Sequence, residues 1–168
     1  MIQNNEYRQM AIDAIANKLG DPIPAVRAKA AEALGEIGNE TAIPYLVRCL
    51  NNSEQEVRLS IIKALGKIGD ETAIPHLVNA LSDSDITIRT ATAETLGKIG
   101  SEKANSYLVQ LLHDSVDSVR ATAAKALGQI GSENAIPDLI NAFNDSNEDV
   151  RLNAVDAIGK IGKRYALA

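Results

Sequence analysis

A chain of 168 residues can form one ordinary globular domain or one array of small repeated units. Only 3% of it is aromatic, with no Trp and one Phe, so its core has to be built from Ala, Leu, Ile and Val, which suits closely stacked helices. The net charge of -5 disfavours a surface that tracks nucleic acid, and the lone Cys49 excludes an internal disulfide framework and multi-cysteine zinc patterns. No apolar run approaches the roughly 20 residues needed to span a bilayer, and Met1 to Arg8 lacks a basic region followed by an apolar one. A cytoplasmic protein in a reducing compartment, without membrane association, is the expectation.

In chain order, a helical segment from about Asn5 to Leu19 comes first, and its Ala11 and Leu19 stand 31 residues before Ala42 and Leu50. The next stretch carries Val26-Arg27, a pair that returns as Val57-Arg58, Ile88-Arg89, Val119-Arg120 and Val150-Arg151, each step being 31 residues. The segment Ala33 to Gly38, ALGEIG, recurs in phase as ALGKIG, TLGKIG, ALGQIG and AIGKIG, and ten of the eleven glycines sit in that ladder. Ala42-Ile43-Pro44 returns at Ala73 and Ala135, and in degenerate form as Ala104-Asn105-Ser106.

Within a repeat the apolar spacing is helical twice. Ile43, Leu46, Val47 and Leu50 follow one stripe, and Val57, Ile61, Leu65 and Ile68 a second. The first helix is expected to begin at Asn39 to Thr41, where a polar cap precedes an early proline, and to end at Asn51-Asn52. The second is expected to open on Ser53 with Glu56 as a capping box, and on Ser146 with Asp149 in the last repeat. Gly69 and its counterparts should stop it through a left-handed cap. The earlier glycine, such as Gly66, lies inside the helix at a cost of about 1 kcal/mol relative to Ala, so a neighbouring helix backbone is expected to approach it closely. The reading is an all-α solenoid of five helical hairpins in one domain over residues 1–168, with units at approximately 5–38, 39–69, 70–100, 101–131 and 132–163.

These residues, in the pattern VRxxAAxALGxIGxxxAIPxLIxAL, resemble the HEAT-like repeat of phycobilisome lyase and related cyanobacterial and archaeal proteins. The resemblance implies a protein-binding scaffold, or in some members a role in bilin attachment to, or breakdown of, phycobiliproteins. It also implies that the second helix of each pair lines the concave surface. Ser106 departs from the pattern where proline is expected, loosening a helix start, and Ser60-Ile61-Ile62 replaces the usual alanine pair. The His-Glu pairs that mark the iron-binding HEAT-like hydroxylases are missing.

Most residues that suggest chemistry recur in structural phase. Arg27, Arg58, Arg89, Arg120 and Arg151 each have a polar residue six positions upstream, namely Asp21, Asn52, Asp83, Asp114 and Asp145. That phasing favours a network tying repeats together over a phosphate-binding row, given so many adjacent carboxylates. The GKIG tetrapeptides lack the GxxxxGK(S/T) spacing and fall at helix C-termini, where Lys67, Lys98 and Lys160 complement the last turn. His76 and His113 occupy unrelated repeat positions, and Cys49 aligns with Ala80, Leu111 and Ala142 as an apolar packing slot. No catalytic set, metal site or cofactor site is read, so the chain is expected not to be an enzyme.

What varies between repeats is a row on the second helices, spaced by four and so on one face. It comprises Gln55, Leu59 and Lys63; Ile86, Thr90 and Glu94; Asp117, Ala121 and Lys125; and Glu148, Leu152 and Asp156. The mixture of apolar and charged groups suits a groove for a partner protein, although the alternation Glu32, Lys63, Glu94, Lys125, Asp156 equally allows neighbours to neutralise one another. An interaction scaffold is the leading expectation, and an auxiliary lyase or chaperone-like subunit for phycobiliproteins the alternative. The segment from Lys163 to Ala168 is open to three readings: a homodimer surface on the last repeat, a continuation into a longer array, or a tail folded over the final pair.

Overall fold

The computed structural model describes residues 2–51 and 54–166, and among them there is helix and turn but no strand. Ten α-helices follow one another: α1 (Ile2–Ala16), α2 (Pro24–Ile37), α3 (Ile43–Arg48), α4 (Gln55–Ile68), α5 (Ile74–Leu77), α6 (Ile86–Ile99), α7 (Asn105–Leu111), α8 (Asp117–Ile130), α9 (Ile136–Asn141) and α10 (Glu148–Ala166). They pair into hairpins of an all-α solenoid, and within each of two compact units the even-numbered helices form one layer and the odd-numbered the other. Two compact units are distinguished, Met1–Ala73 and Ile74–Ala168, holding two and three hairpins. In the first, α2 packs on α4; in the second, α6 packs on α8 and α8 on α10.

The two layers are unequal. Each of α4, α6 and α8 runs 14 residues, whereas α3, α5, α7 and α9 run only four to seven and are entered through a 3-10 turn such as Glu40–Ala42. The odd helices are therefore shorter than the apolar stripe predicts: α3 ends at Arg48, ahead of Asn51. Leu50 is still buried, because the turn after α3 carries it into the core without continuing the helix. Asn39 starts this layer as expected, its Oδ1 accepting the Thr41 N–H at 2.8 Å. The missing proline at Ser106 does not loosen α7, which begins in the same register as α3, α5 and α9 and is the longest of the four.

At the even helices the cap falls one residue later than predicted. Asn147, rather than Ser146, caps α10, its Oδ1 accepting the N–H groups of Asp149 at 2.9 Å and Val150 at 3.2 Å. Asp85 does the same for α6, while Ser53 and Asn52 lie outside the described residues. The stops are as read at Gly38, Gly69, Gly100 and Gly131, all with φ between 63° and 76°. Gly162 is the exception. α10 runs through it to Ala166 without a left-handed residue, and Arg164 reaches back to donate to the Ile130 carbonyl at 2.7 Å. Arg8 donates likewise to the Ile37 carbonyl at 2.6 Å, so arginines from other helices, not the lysines of the last turn, satisfy these C-terminal carbonyls. Lys67 instead meets Glu36, and Lys160 meets Asp156 at 2.6 Å.

The interior glycines let the even helices touch backbone to backbone. A Cβ on Gly35 would lie 2.7 Å from Ala64 Cα, one on Gly128 2.7 Å from Ala157 Cα, and one on Gly97 2.9 Å from Ala126 Cα. Such contacts leave no room for a methyl group, so the lost helix propensity is offset by close packing with buried alanines on the facing helix. Around them Leu34, Leu65, Leu96 and Leu127 are fully buried, each stabilising the fold by about 1.5–3 kcal/mol relative to exposure.

The arginines join the repeats at the turns. Arg120 donates through Nε and Nη2 to both oxygens of Asp145, at 2.8 and 2.9 Å, and through Nη1 to the carbonyl of Asp114 at 2.9 Å. Arg89 meets Asp114 at 2.9 and 3.0 Å and the Asp83 carbonyl at 2.9 Å. Each arginine therefore clamps the turn of its own repeat and the aspartate of the next. The partners are mostly buried, with side chains 11–15% exposed, so these pairs are worth more than surface ones. Arg27 holds the carbonyls of Asp21 and Pro22 and reaches Glu54 at 2.7 Å, its Nε finding no partner among the described residues.

The glycines supply an internal control. Gly97→Ala is expected to lower stability by about 1–3 kcal/mol through overpacking, and Gly97→Leu by more. Gly159, in the same position of α10, has nothing within 4 Å of its Cβ site. There, Gly159→Ala should raise stability by about 1 kcal/mol through helix propensity alone. Thermal melts at low protein concentration check both signs.

The clamps predict an acid limb. Hydrogen bonding from Arg120 first of all, aided by the Asn147 N–H, holds the Asp145 carboxyl below its ordinary value against the opposing effect of burial. At Asp114 burial pushes upward most strongly, but Arg89 and the Val116 N–H together outweigh it and the carboxyl is again lowered. A depressed folded-state pKa stabilises above the unfolded value of about 4 and is lost as pH falls through the folded one. Urea melts should therefore show wild-type stability falling below about pH 4, with a flatter fall in an Asp114→Asn, Asp145→Asn double variant that is already weaker at neutral pH.

Candidate functional site

Each even helix buries its apolar and small residues against neighbouring helices and leaves one strip of long polar side chains in solvent. In residues 1–73 the strip carries Glu32 and Glu36 on α2 and Lys63 and Lys67 on α4, all exposed. Lys29 donates to Glu32 at 2.8 Å, and this bond, with the charges of Lys29, Lys67 and Lys63, holds the Glu32 carboxyl below the usual range. In residues 74–168 the strip opens into a cleft of about 170 Å³, lined by Glu94 and Lys98 of α6 and Thr122, Lys125, Ala126 and Gln129 of α8. Asp156 and Lys160 continue the strip on α10.

Of the row expected to face a partner, Gln55, Ile86, Asp117 and Glu148 are exposed at the starts of their helices, and Lys63, Glu94, Lys125 and Asp156 are exposed a little over two turns further on. The middle positions behave differently. Leu59 and Thr90 are half-buried, Ala121 is buried, and only Leu152 is exposed. Ala121 is thus removed from the open row: its methyl group is too short to emerge between longer neighbours. Asp117 is tied to the next repeat, accepting from Asn147 Nδ2 at 2.9 Å.

The open strip continues one step further along each helix than the expected row. Lys98 and Gln129 lie outside that row, although the spacing of four that links Glu94 to Lys98 and Lys125 to Gln129 finds them; half-buried Thr122, three residues before Lys125, is off that spacing. Assigning Lys98 to the helix C-terminus obscured the pattern.

The arginine ladder contributes no open anion row where its bonds are described. Arg89 and Arg120 spend Nε, Nη1 and Nη2 on carboxylates and carbonyls. Arg151 holds the carbonyls of Asp145 and Ser146 at 2.7 and 2.9 Å. Beside Arg89 lies a wider cleft of about 700 Å³, with Asn79, Tyr107, Gln110, His113 and Asp114 in its walls. Among the described residues no group of three or more His, Cys, Asp and Glu side chains could hold a metal ion. Among the described residues no helix is long and apolar enough to cross a membrane.

Solved repeat proteins resemble this architecture. A chain of the complex of CpcE and CpcF of phycocyanin lyase from a Nostoc species superposes with a TM-score of 0.78 at 23% identity. The match covers 92% of this chain and 66% of that one, so this chain spans just under two thirds of its length. A designed armadillo repeat protein in complex with the peptide (KR)4 superposes with a TM-score of 0.69 at 22% identity, covering 94% of this chain and 86% of that one. No curated protein matches the sequence. The sequence profile of HEAT repeats matches residues 5–61, 48–121 and 108–168, nearly the whole length, and the chain therefore belongs to the HEAT-repeat family.

Proposed function

We propose that this chain is a non-catalytic scaffold, acting in the cytoplasm, that presents the exposed charged strip of its even helices to a partner protein. The observation that supports this reading most is the contrast within each helix. Glycines, alanines and leucines recur on the stacking faces, while the exposed positions change from Glu94 and Lys98 to Lys125 and Gln129 to Asp156 and Lys160. Long side chains of both signs on a rigid support favour a partner carrying complementary charges along a helix or extended segment, with orientation set by the order of those charges. Two of the similar repeat proteins are described in complexes, one with another protein and one with a peptide.

A second reading is an auxiliary subunit in bilin attachment to phycobiliproteins, favoured by the repeat resemblance and by the likeness to the phycocyanin lyase complex. Addition of the protein to a bilin-transfer reaction tests it, and an unchanged attachment yield removes it.

For the scaffold, affinity capture with mass spectrometry identifies the partner, and a charge-exchanged variant tests the strip. Glu94→Lys combined with Lys125→Glu is expected to weaken partner binding about tenfold or more, equivalent to about 1.4 kcal/mol, with the melting temperature unchanged because both side chains are exposed. Undiminished binding by a folded variant counts against the strip.

A further inference from the structure

The face of α10 turned away from α8 carries the features of an inter-repeat stacking face, and among the described residues nothing covers it. Its residues can be compared with the same positions one repeat earlier, where the next helix is in place. Val155 is 57% exposed where Ala124 is 0%, and Phe143 is 37% exposed where Leu112 is 6%. Gly159 has nothing within 4 Å of its Cβ site, where Gly128 lies against the backbone of Ala157. Arg151 grips its own turn through Nη1 as Arg120 does, yet no carboxylate among the described residues meets its Nε and Nη2.

What would fill this face is specified by those gaps. It has to bring a carboxylate to the outer edge of Arg151, a small residue opposite Gly159, and apolar side chains onto Val155 and Phe143. In the inner repeats an aspartate of the next turn meets the arginine, an alanine of the next even helix meets the glycine, and the β-branched residue in the first turn of that helix is buried. The first repeat offers the same three, incompletely covered. Asp21 Oδ1 accepts the Ile23 N–H at 3.1 Å, as Asp145 Oδ1 accepts that of Asn147, and among the described residues its Oδ2 has only the exposed Lys18 at 3.6 Å. Ala33 is half-buried where Ala64, Ala126 and Ala157 are buried, and Val26 is half-buried where Val57, Val119 and Val150 are buried. Ile23 adds a side chain that is 57% exposed.

We infer that the α10 face is a self-association surface, whose occupant is the α2 face of a second copy of this chain, stacked in the register of one more repeat. Arg151 of one copy closes on Asp21 of the next, and Ala33 seats against Gly159. The contact is heterologous, so it leaves a free α10 face on one copy and a free α2 face on the other, and growth does not stop at two copies unless a ring closes. This surface is distinct from the charged strip proposed to hold a partner.

Sedimentation velocity of the 168-residue chain over a wide concentration range tests the inference. Mass is expected to rise above the 17.9 kDa of one copy as concentration increases. Gly159→Leu adds bulk where nothing lies within 4 Å, so it should leave the circular-dichroism melt of the dilute protein intact while abolishing association. Arg151→Asp and Asp21→Arg should each abolish it separately, and mixing these two variants should restore it, because each supplies the charge the other has reversed. A mass that stays at one copy for the wild type, association that survives Gly159→Leu or Arg151→Asp, or failure of the mixture to associate overturns the inference. Should Gly159→Leu melt early, the charge exchange decides alone.

Discussion

The stacking of the even helices depends on the absence of a side chain at Gly35, Gly97 and Gly128. With a hydrogen atom at Gly35, Gly97 and Gly128, neighbouring even helices approach until the backbone of one lies against an alanine of the other. That separation sets the geometry of the remaining contacts. It brings the Asp of one turn within reach of the Arg of the previous one, allowing Arg89 and Arg120 to bind both oxygens of their partners. It also suits the composition: a core of Ala, Leu, Ile and Val fills narrow spaces that aromatic rings would force apart.

Much of this was legible because it repeats. A glycine inside a helix is unfavourable by itself, so the same glycine in every repeat points to a steric demand rather than chance. Arg and Asp in fixed phase point to each other for the same reason. Features that depend on what surrounds a repeat were less legible. Gly162 ends the same Ile-Gly pair as Gly131, but Gly131 is followed by Ser-Glu-Asn and the turn into α9, whereas Lys163, Arg164 and Tyr165 carry α10 on without a left-handed residue. Ser146 and Asn147 are both competent caps, and the choice between them depends on where the backbone leaves the extended region, which residue type does not encode. Ala121 shares a row with exposed residues and is nevertheless buried, since exposure is set by neighbours as well as by helical phase.

Separation of roles within the even helices gives the candidate surface its character. Stacking consumes the small and apolar residues, clamping consumes the arginines, and what is left is a set of exposed charged groups free to differ between repeats. Asp117, tied to Asn147, shows that the division has exceptions, because one side chain can serve both the surface and the stack. Partner binding as proposed would draw on positions that carry little of the folding energy, so specificity could change without loss of the fold.

The unequal helix layers carry a kinetic consequence. Helices of four to seven residues, such as α5 and α7, are far below the length at which a helix persists by itself, so they exist only while docked on the even layer. Their amide hydrogens are then released to solvent by local undocking of single hairpins, whereas those of α6 and α8, covered on more than one side, exchange only when several repeats separate together. The solenoid thus has a yielding skin over a slowly exchanging spine.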